Sequence, residues 1–212
     1  VLLDRDEGLI EDGLKRVNDI LKKTERPNGR YNEGEKQNRR LFLTHQALLN
    51  TTLGNYNESV RAFTEMKSIT DEKNGRIDAL IIDTYRTAKN PDKALQYCEQ
   101  ALLEVPNSRQ LQMLHAELIA EKGRVDESVK ALQKMSKGND EDLEILTVIT
   151  SIYQRAKKFD EAQSTLNTAM QRFPQNEGVY FLQGALYEKQ KKFNDAEKSF
   201  RKALELDKEN PA

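Results

Sequence analysis

The sequence predicts an all-α fold, a right-handed superhelical solenoid of antiparallel helix pairs. Three observations carry that prediction. The stretch KKFDEAQSTLNTAMQRFPQ from Lys157 is answered by KKFNDAEKSFRKALELDKE from Lys191, 34 residues later. Small residues recur with a step of 34 or 35 at Ser59, Ala94, Ser128, Ala162 and Ala196, each flanked by apolar residues at helical offsets. Charged residues at 33% against hydrophobic ones at 37%, with no Trp and 5 Pro, suit a helix-rich chain with much solvated surface.

Those columns define a two-helix unit. Three residues before each small position stand Tyr56, Pro91, Val125, Phe159 and Phe193, and four after it stand Phe63, Cys98, Leu132, Leu166 and Phe200. Seven after it come Met66, Ala101, Met135, Ala169 and Ala203. Offsets of −3, +4 and +7 mark one stripe of an α-helix, the buried face of the second helix in each unit. A first helix carries Ala47, Ile82, Ala116, Thr150 and Gly184 twelve residues upstream, with Asn50, Tyr85, Ile119, Tyr153 and Tyr187 at nine. Two antiparallel helices joined by a tight turn cross closely, so the crossing point requires small side chains. One such pair cannot bury its apolar face alone, and pairs must stack.

Along the chain, residues 1–24 read as a degenerate partial repeat, mainly a second helix near Ile10–Lys23, with Gly8 as its turn glycine and Ile10, Gly13, Val17 and Ile20 on its stripe. Residues 25–39 read as a polar insertion or linker, because the step from Gly13 to Ser59 is 46 and this segment is rich in turn formers; from about Gly34 part of it can lengthen the helix that follows. Residues 40–212 hold five tandem units. Gly54-Asn55, Asn90-Pro91, Gly123-Arg124, Lys157-Lys158 and Lys191-Lys192 separate the two helices of each. Glu58, Asp92, Asp126, Asp160 and Asp195 then open the second helices, where acids complement the helix dipole. Pro106 and Pro174 end two of them. The chain opens at Val1 and closes on Asn210-Pro211-Ala212, and it reads as a piece of a longer array. The last helix is therefore expected to expose an apolar strip of Phe200, Ala203, Leu204 and Leu206, open to end-to-end contact between copies. The cellular compartment is not written in this sequence.

On these residues the chain resembles the tetratricopeptide repeat (TPR) family, whose pattern runs aromatic, Leu-Gly, Tyr, then Ala, Phe and Pro across 34 residues. The last unit carries Tyr180, Gly184, Tyr187, Ala196, Phe200 and Ala203, departing at Gln183 and Lys208. The unit before it carries Ile149, Tyr153, Ala162, Leu166, Ala169 and Pro174, while earlier units place Asp78 and Gln112 in the aromatic column. The resemblance implies a non-catalytic protein–protein interaction scaffold, whose first helices line a concave groove for a peptide or helix of a partner protein. Carried over residue by residue, the groove comprises Leu41, Thr44 and Leu48, then Leu80, Asp83 and Arg86, then Met113, Leu114, Glu117 and Glu121. Val148, Ser151 and Arg155 follow, with Phe181, Leu182 and Lys189 in the last unit. Its apolar members form either a track for an amphipathic segment or the backing of helix contacts, and both readings stand open. The chaperone-type carboxylate clamp is absent, since its five positions hold Thr44, Leu48, Leu80, Gln110 and Leu114.

Other chemistries find little support. A net charge of −1 with interleaved signs lacks the basic stripe of a nucleic-acid binder, and the 34-residue period differs from the 35 of pentatricopeptide RNA binders. No apolar run approaches the ~18 residues of a membrane span. The single Cys98 excludes an intrachain disulfide and reads as a small core hydrophobe. His115 reads as a partly buried core residue; HAELIAE lacks the HExxH spacing of a zinc site. No phosphate loop or nucleophile elbow appears, so no catalytic, metal or cofactor residue is expected. The alternatives to a scaffold are a self-associating spacer module of a larger protein and a helical-repeat RNA binder.

Overall fold

The computed structural model describes residues 2–71 and 73–209. Among these residues there are eleven α-helices and no strand. They are α1 (Leu2–Lys23), α2 (Glu33–Thr52), α3 (Tyr56–Ser68), α4 (Arg76–Thr87), α5 (Pro91–Glu104), α6 (Arg109–Glu121), α7 (Val125–Lys134), α8 (Asp142–Arg155), α9 (Phe159–Arg172), α10 (Glu177–Lys189) and α11 (Phe193–Glu209). The chain forms two compact units, Val1–His115 and Ala116–Ala212, with the boundary inside α6.

In the first unit α1 packs on α2, α2 pairs with α3, α3 stacks on α4, and α4 pairs with α5. The short connections force antiparallel neighbours. Leu21, Leu43, Ala47, Ala62, Phe63, Met66 and Ile81 form the core between them. In the second unit α8 pairs with α9, α10 with α11, and α9 stacks on α10. Its core joins Ala162, Leu166 and Ala169 of α9 to Val179 and Leu186 of α10. The helices α3, α4, α9 and α10 thus each bury one face against their own partner and a second against the adjoining pair, which is how a unit too thin for a core of its own becomes stable.

The crossing columns are closed as their small side chains require. Ser59, Ala94, Ser128 and Ala162 are wholly buried and Ala196 nearly so, as are Ala47, Ile82, Ala116 and Thr150 on the first helices. Gly184 is the tightest case. A Cβ there would lie 2.6 Å from two ring carbons of Phe200.

One expectation for the N-terminal region is corrected. Gly8 is not a turn: α1 continues unbroken from Leu2 to Lys23, with no breaker near Gly8 to stop it. Residues 33–39, within the segment expected as a polar insertion that can lengthen the following helix from about Gly34, belong to α2. Asn32 Oδ1 accepts from Glu35 N at 3.0 Å, and Glu35 Oε2 accepts from Asn32 N at 3.0 Å, a capping box that starts the helix there. The remaining connection is tied down. Arg26 pairs with Glu35, and Tyr31 lies under the Arg39 guanidinium at 5.1 Å. Arg39, itself buried, donates to Leu21 O at 3.0 Å and to Glu65 Oε1 at 2.7 Å.

Candidate interaction surface

The first helices α2 and α4 turn one face to the core and carry exposed leucines on the other. On α2, Leu41 and Leu48 lie two turns apart and are 54% and 52% exposed; on α4, Leu80 is 38% exposed. Thr44 sits between the two α2 leucines, but its hydroxyl donates back to Arg40 O at 2.8 Å and lies 3.4 Å from Met66 Sδ. Asp83 pairs with Arg86 at 3.5 Å on the same helix face. Met113 is corrected: at 5% exposed it belongs to the core and not to a surface track. A flexible thioether fills irregular interior space well. Leu114 is half-buried, and His115 Nε2 stands 3.7 Å from Glu99 Oε1.

In the second unit Arg155 of α8 reaches both Glu117 (3.5 Å) and Glu121 (3.4 Å) of α6. Three charged members of the expected groove are therefore brought together as an ion-pair cluster. Val148 and Ser151 are half-buried, and Lys189 is exposed. Leu182 packs against the α9–α10 core, so it serves helix stacking. Phe181 is 58% exposed, its ring tilted against Phe200 at 5.4 Å between centroids. On α11 the expected apolar strip is corrected at Ala203 and Leu206, which are buried, whereas Leu204 is 59% exposed.

In the first unit the surface offers apolar contact beside the Asp83–Arg86 pair. Cys98 is fully buried, its Sγ is 3.5 Å from Leu111 O, and burial pushes its thiol up to about 12, the behaviour of a core filler and not a nucleophile. Among the described residues no cluster of three or more His, Cys, Asp and Glu side chains is arranged to hold a metal, and no helix is long and apolar enough to cross a membrane.

Sequence reasoning missed one column altogether. Asn74, Ser108, Asp142 and Asn176 recur every 34 residues at the entry to the first helices. Asn74 Oδ1 accepts from Arg76 N (3.0 Å), Ser108 Oγ from Leu111 N (3.5 Å) and Asn176 Oδ1 from Val179 N (3.2 Å). Asp142 folds back instead, accepting from Ser136 Oγ (2.6 Å), Lys137 N (2.8 Å), Gly138 N (2.8 Å) and Arg172 Nη2 (3.1 Å). These bonds hold its carboxyl well below the usual carboxylate range, the Ser136 hydroxyl acting most strongly. The signal was present in the sequence as four capping-type residues in register.

Comparison with known proteins agrees with this architecture. Residues 81–212 match the sequence family described as Psidin, N-terminal TPR repeats region. No curated protein sequence matches the chain. Among solved structures, a tetratricopeptide repeat protein from Parabacteroides merdae is similar with a TM-score of 0.65 at 18% identity, covering 97% of this chain and 75% of that one. MamA 41-end from Desulfovibrio magneticus RS-1 is similar with a TM-score of 0.51 at 11% identity, covering 82% and 98%. At such identities the likeness is one of fold. With the family matched over more than half its length, the chain belongs to the tetratricopeptide repeat proteins of the Psidin N-terminal type.

Proposed function

We propose that this chain is a non-catalytic scaffold whose first helices present a preformed apolar face to an extended or helical segment of a partner protein. The observation that carries this reading is the row of exposed leucines, Leu41 and Leu48 on α2 and Leu80 on α4, on helices whose opposite faces are fully committed to the core. A surface already ordered before binding spares the complex part of the ordering cost. On α4 the neighbouring charges, Asp83 and Arg86, pair with one another, which leaves the leucine row without a demand for a highly charged ligand.

The test is affinity capture with the whole chain, followed by titration of whatever partner is recovered. Leu41→Glu with Leu48→Glu should weaken that partner by about tenfold or more, as expected for central apolar contacts, while the helical signal stays unchanged. Undiminished affinity in this variant places the binding elsewhere on the molecule.

A further inference from the structure

The chain contains two Asn-Gly pairs, Asn28-Gly29 and Asn74-Gly75, and the fold holds them differently. Asn28 lies between α1 and α2 in the turn Arg26-Pro27-Asn28-Gly29. Gly29 N donates to Arg26 O at 2.9 Å, and Asn28 Oδ1 accepts from Arg30 N at 3.0 Å. Residues 25–30 are all exposed, and both bonds are local to the turn. The ties that anchor this connection to α2, Arg26 to Glu35 and Tyr31 to Arg39, stand on either side of the Asn-Gly pair and not on it.

Asn74-Gly75 enters α4 under restraint from a distant part of the chain. Ser108 Oγ donates to Asn74 O at 3.1 Å across 34 residues. Arg76 N donates to Asn74 Oδ1 at 3.0 Å, and Ala79 N to Gly75 O at 2.9 Å. Gly75 is buried, and a Cβ placed on it would meet Ser108 and Leu111 at 2.7 to 2.9 Å, so the backbone has no room to rearrange.

An asparagine followed by glycine carries its own nucleophile. The glycine nitrogen attacks the asparagine Cγ, forming an N–Cγ bond as the Cγ–Nδ2 bond breaks. The proton shed by the glycine nitrogen and the departing amide leave together as ammonia. Water then opens the five-membered succinimide: attack at Cγ gives aspartate, and attack at the backbone carbonyl gives isoaspartate, in which the chain runs through Cγ. The sum is asparagine plus water to aspartate or isoaspartate plus ammonia, with no further reactant. Glycine favours the step because no Cβ crowds its nitrogen. The fold sets the rate through the ease with which the segment opens.

We propose that Asn28 is a site of spontaneous deamidation in the folded chain, that Asn74 is protected from it, and that the product loosens the α1–α2 connection. Isoaspartate lengthens the backbone by one atom at position 28, which breaks the paired bonds of the turn. The new carboxylate stands in the chain between Arg26 and Arg30 and competes with Glu35 for Arg26. This inference is independent of the leucine face.

The experiment is incubation of the whole chain in mildly alkaline buffer, with and without urea, followed by Lys-C digestion at mildly acidic pH, which yields residues 24–36 and 74–89 as separate peptides. In native buffer the first peptide should convert from amide to acid about tenfold or more faster than the second, because the Asn74 segment must open against buried contacts. Fragment ions should place the change at Asn28, and isoaspartyl methyltransferase with labelled S-adenosylmethionine should label that peptide. In urea the two rates should converge. Asn28→Gln should remove the conversion from residues 24–36. Trypsin should cut after Arg30 faster in the aged chain than in the fresh one. Native conversion at Asn28 no faster than at Asn74 overturns the proposal, and equal cleavage of aged and fresh chain overturns the loosening.

Discussion

The residue that ends each first helix shows how a repeat tolerates local strain. Gly54, Lys89, Gly123, Lys157 and Lys191 occupy one column, and all have positive φ, between 54° and 82°. The next N–H in each case reaches back five residues: Asn55 to Asn50 O, Asn90 to Tyr85 O, Arg124 to Ile119 O, Lys158 to Tyr153 O and Lys192 to Tyr187 O, at 2.8 to 3.2 Å. This is the helix stop that favours glycine, and three lysines occupy it against their steric preference. Lys157→Gly and Lys191→Gly should each stabilise by about 0.5–1 kcal/mol, the relief of left-handed strain less the entropy a glycine adds to the unfolded chain. Gly123→Lys should cost about as much. Urea titration followed by circular dichroism measures all three, and a lower midpoint for either glycine variant contradicts the assignment. Asp142 gives a second residue-scale prediction, with its sign fixed by its bonds. A carboxyl whose folded pKa is depressed stabilises above the unfolded value, about 3.9, and loses that contribution as pH falls through and below it. Asp142→Asn should therefore melt below wild type at pH 7, and the gap should begin to narrow as pH falls below about 4 and go on narrowing with further acidification. A gap that is constant with pH would mean that the charge of Asp142 contributes nothing.

At the scale of the element, the α10–α11 pair turns on one absent side chain. Phe200 fills the space beside Gly184, whereas the preceding pair combines Thr150 with Leu166 in the same two positions. Gly184→Ala should destabilise by about 1–3 kcal/mol through overpacking, even though alanine is the better helix former. Adding Phe200→Leu should recover part of that loss. A Gly184→Ala variant at least as stable as wild type would show that the ring moves aside freely. The helices and their crossing columns were legible because packing constraints repeat: Ala162 and Ala196 sit in one environment, so the sequence states it more than once. What was missed or overdrawn occurs where a local interaction acts once. The start of α2 is set by Asn32 and Glu35 in a segment whose composition suggests a loop. Gly8 resembles a turn residue, yet nothing around it breaks α1. Met113 and Leu182 fall in groove columns by register, but depth along a helix face depends on the neighbour that covers it, and the period does not encode that neighbour.

The whole molecule is organised by neighbours along the chain, and that makes register testable by deletion. Removing residues 150–183, one period of 34, joins Ile149 to Gly184 and fuses the front of α8 to the back of α10. The fused helix keeps Asp142 at its start and Gly184 opposite Phe200, so a shorter chain with a cooperative melt should result. Removing residues 158–191 deletes the same length but sets Thr150 against Phe200. That chain should fold and be less stable than the first by about 1–3 kcal/mol, the cost of overpacking one crossing. Removing residues 150–181 cuts at the same point as the first deletion but is two residues short of the period. At about 100° per residue it rotates the back half of the fused helix by roughly 200°, turning its buried stripe toward solvent. This third chain should lose its cooperative transition and bind hydrophobic dyes. Thermal melts of the three, monitored by circular dichroism, read the order directly. If the out-of-register deletion melts as sharply as the in-register one, stacking is not governed by the crossing columns, and the 34-residue period does not hold the second unit together.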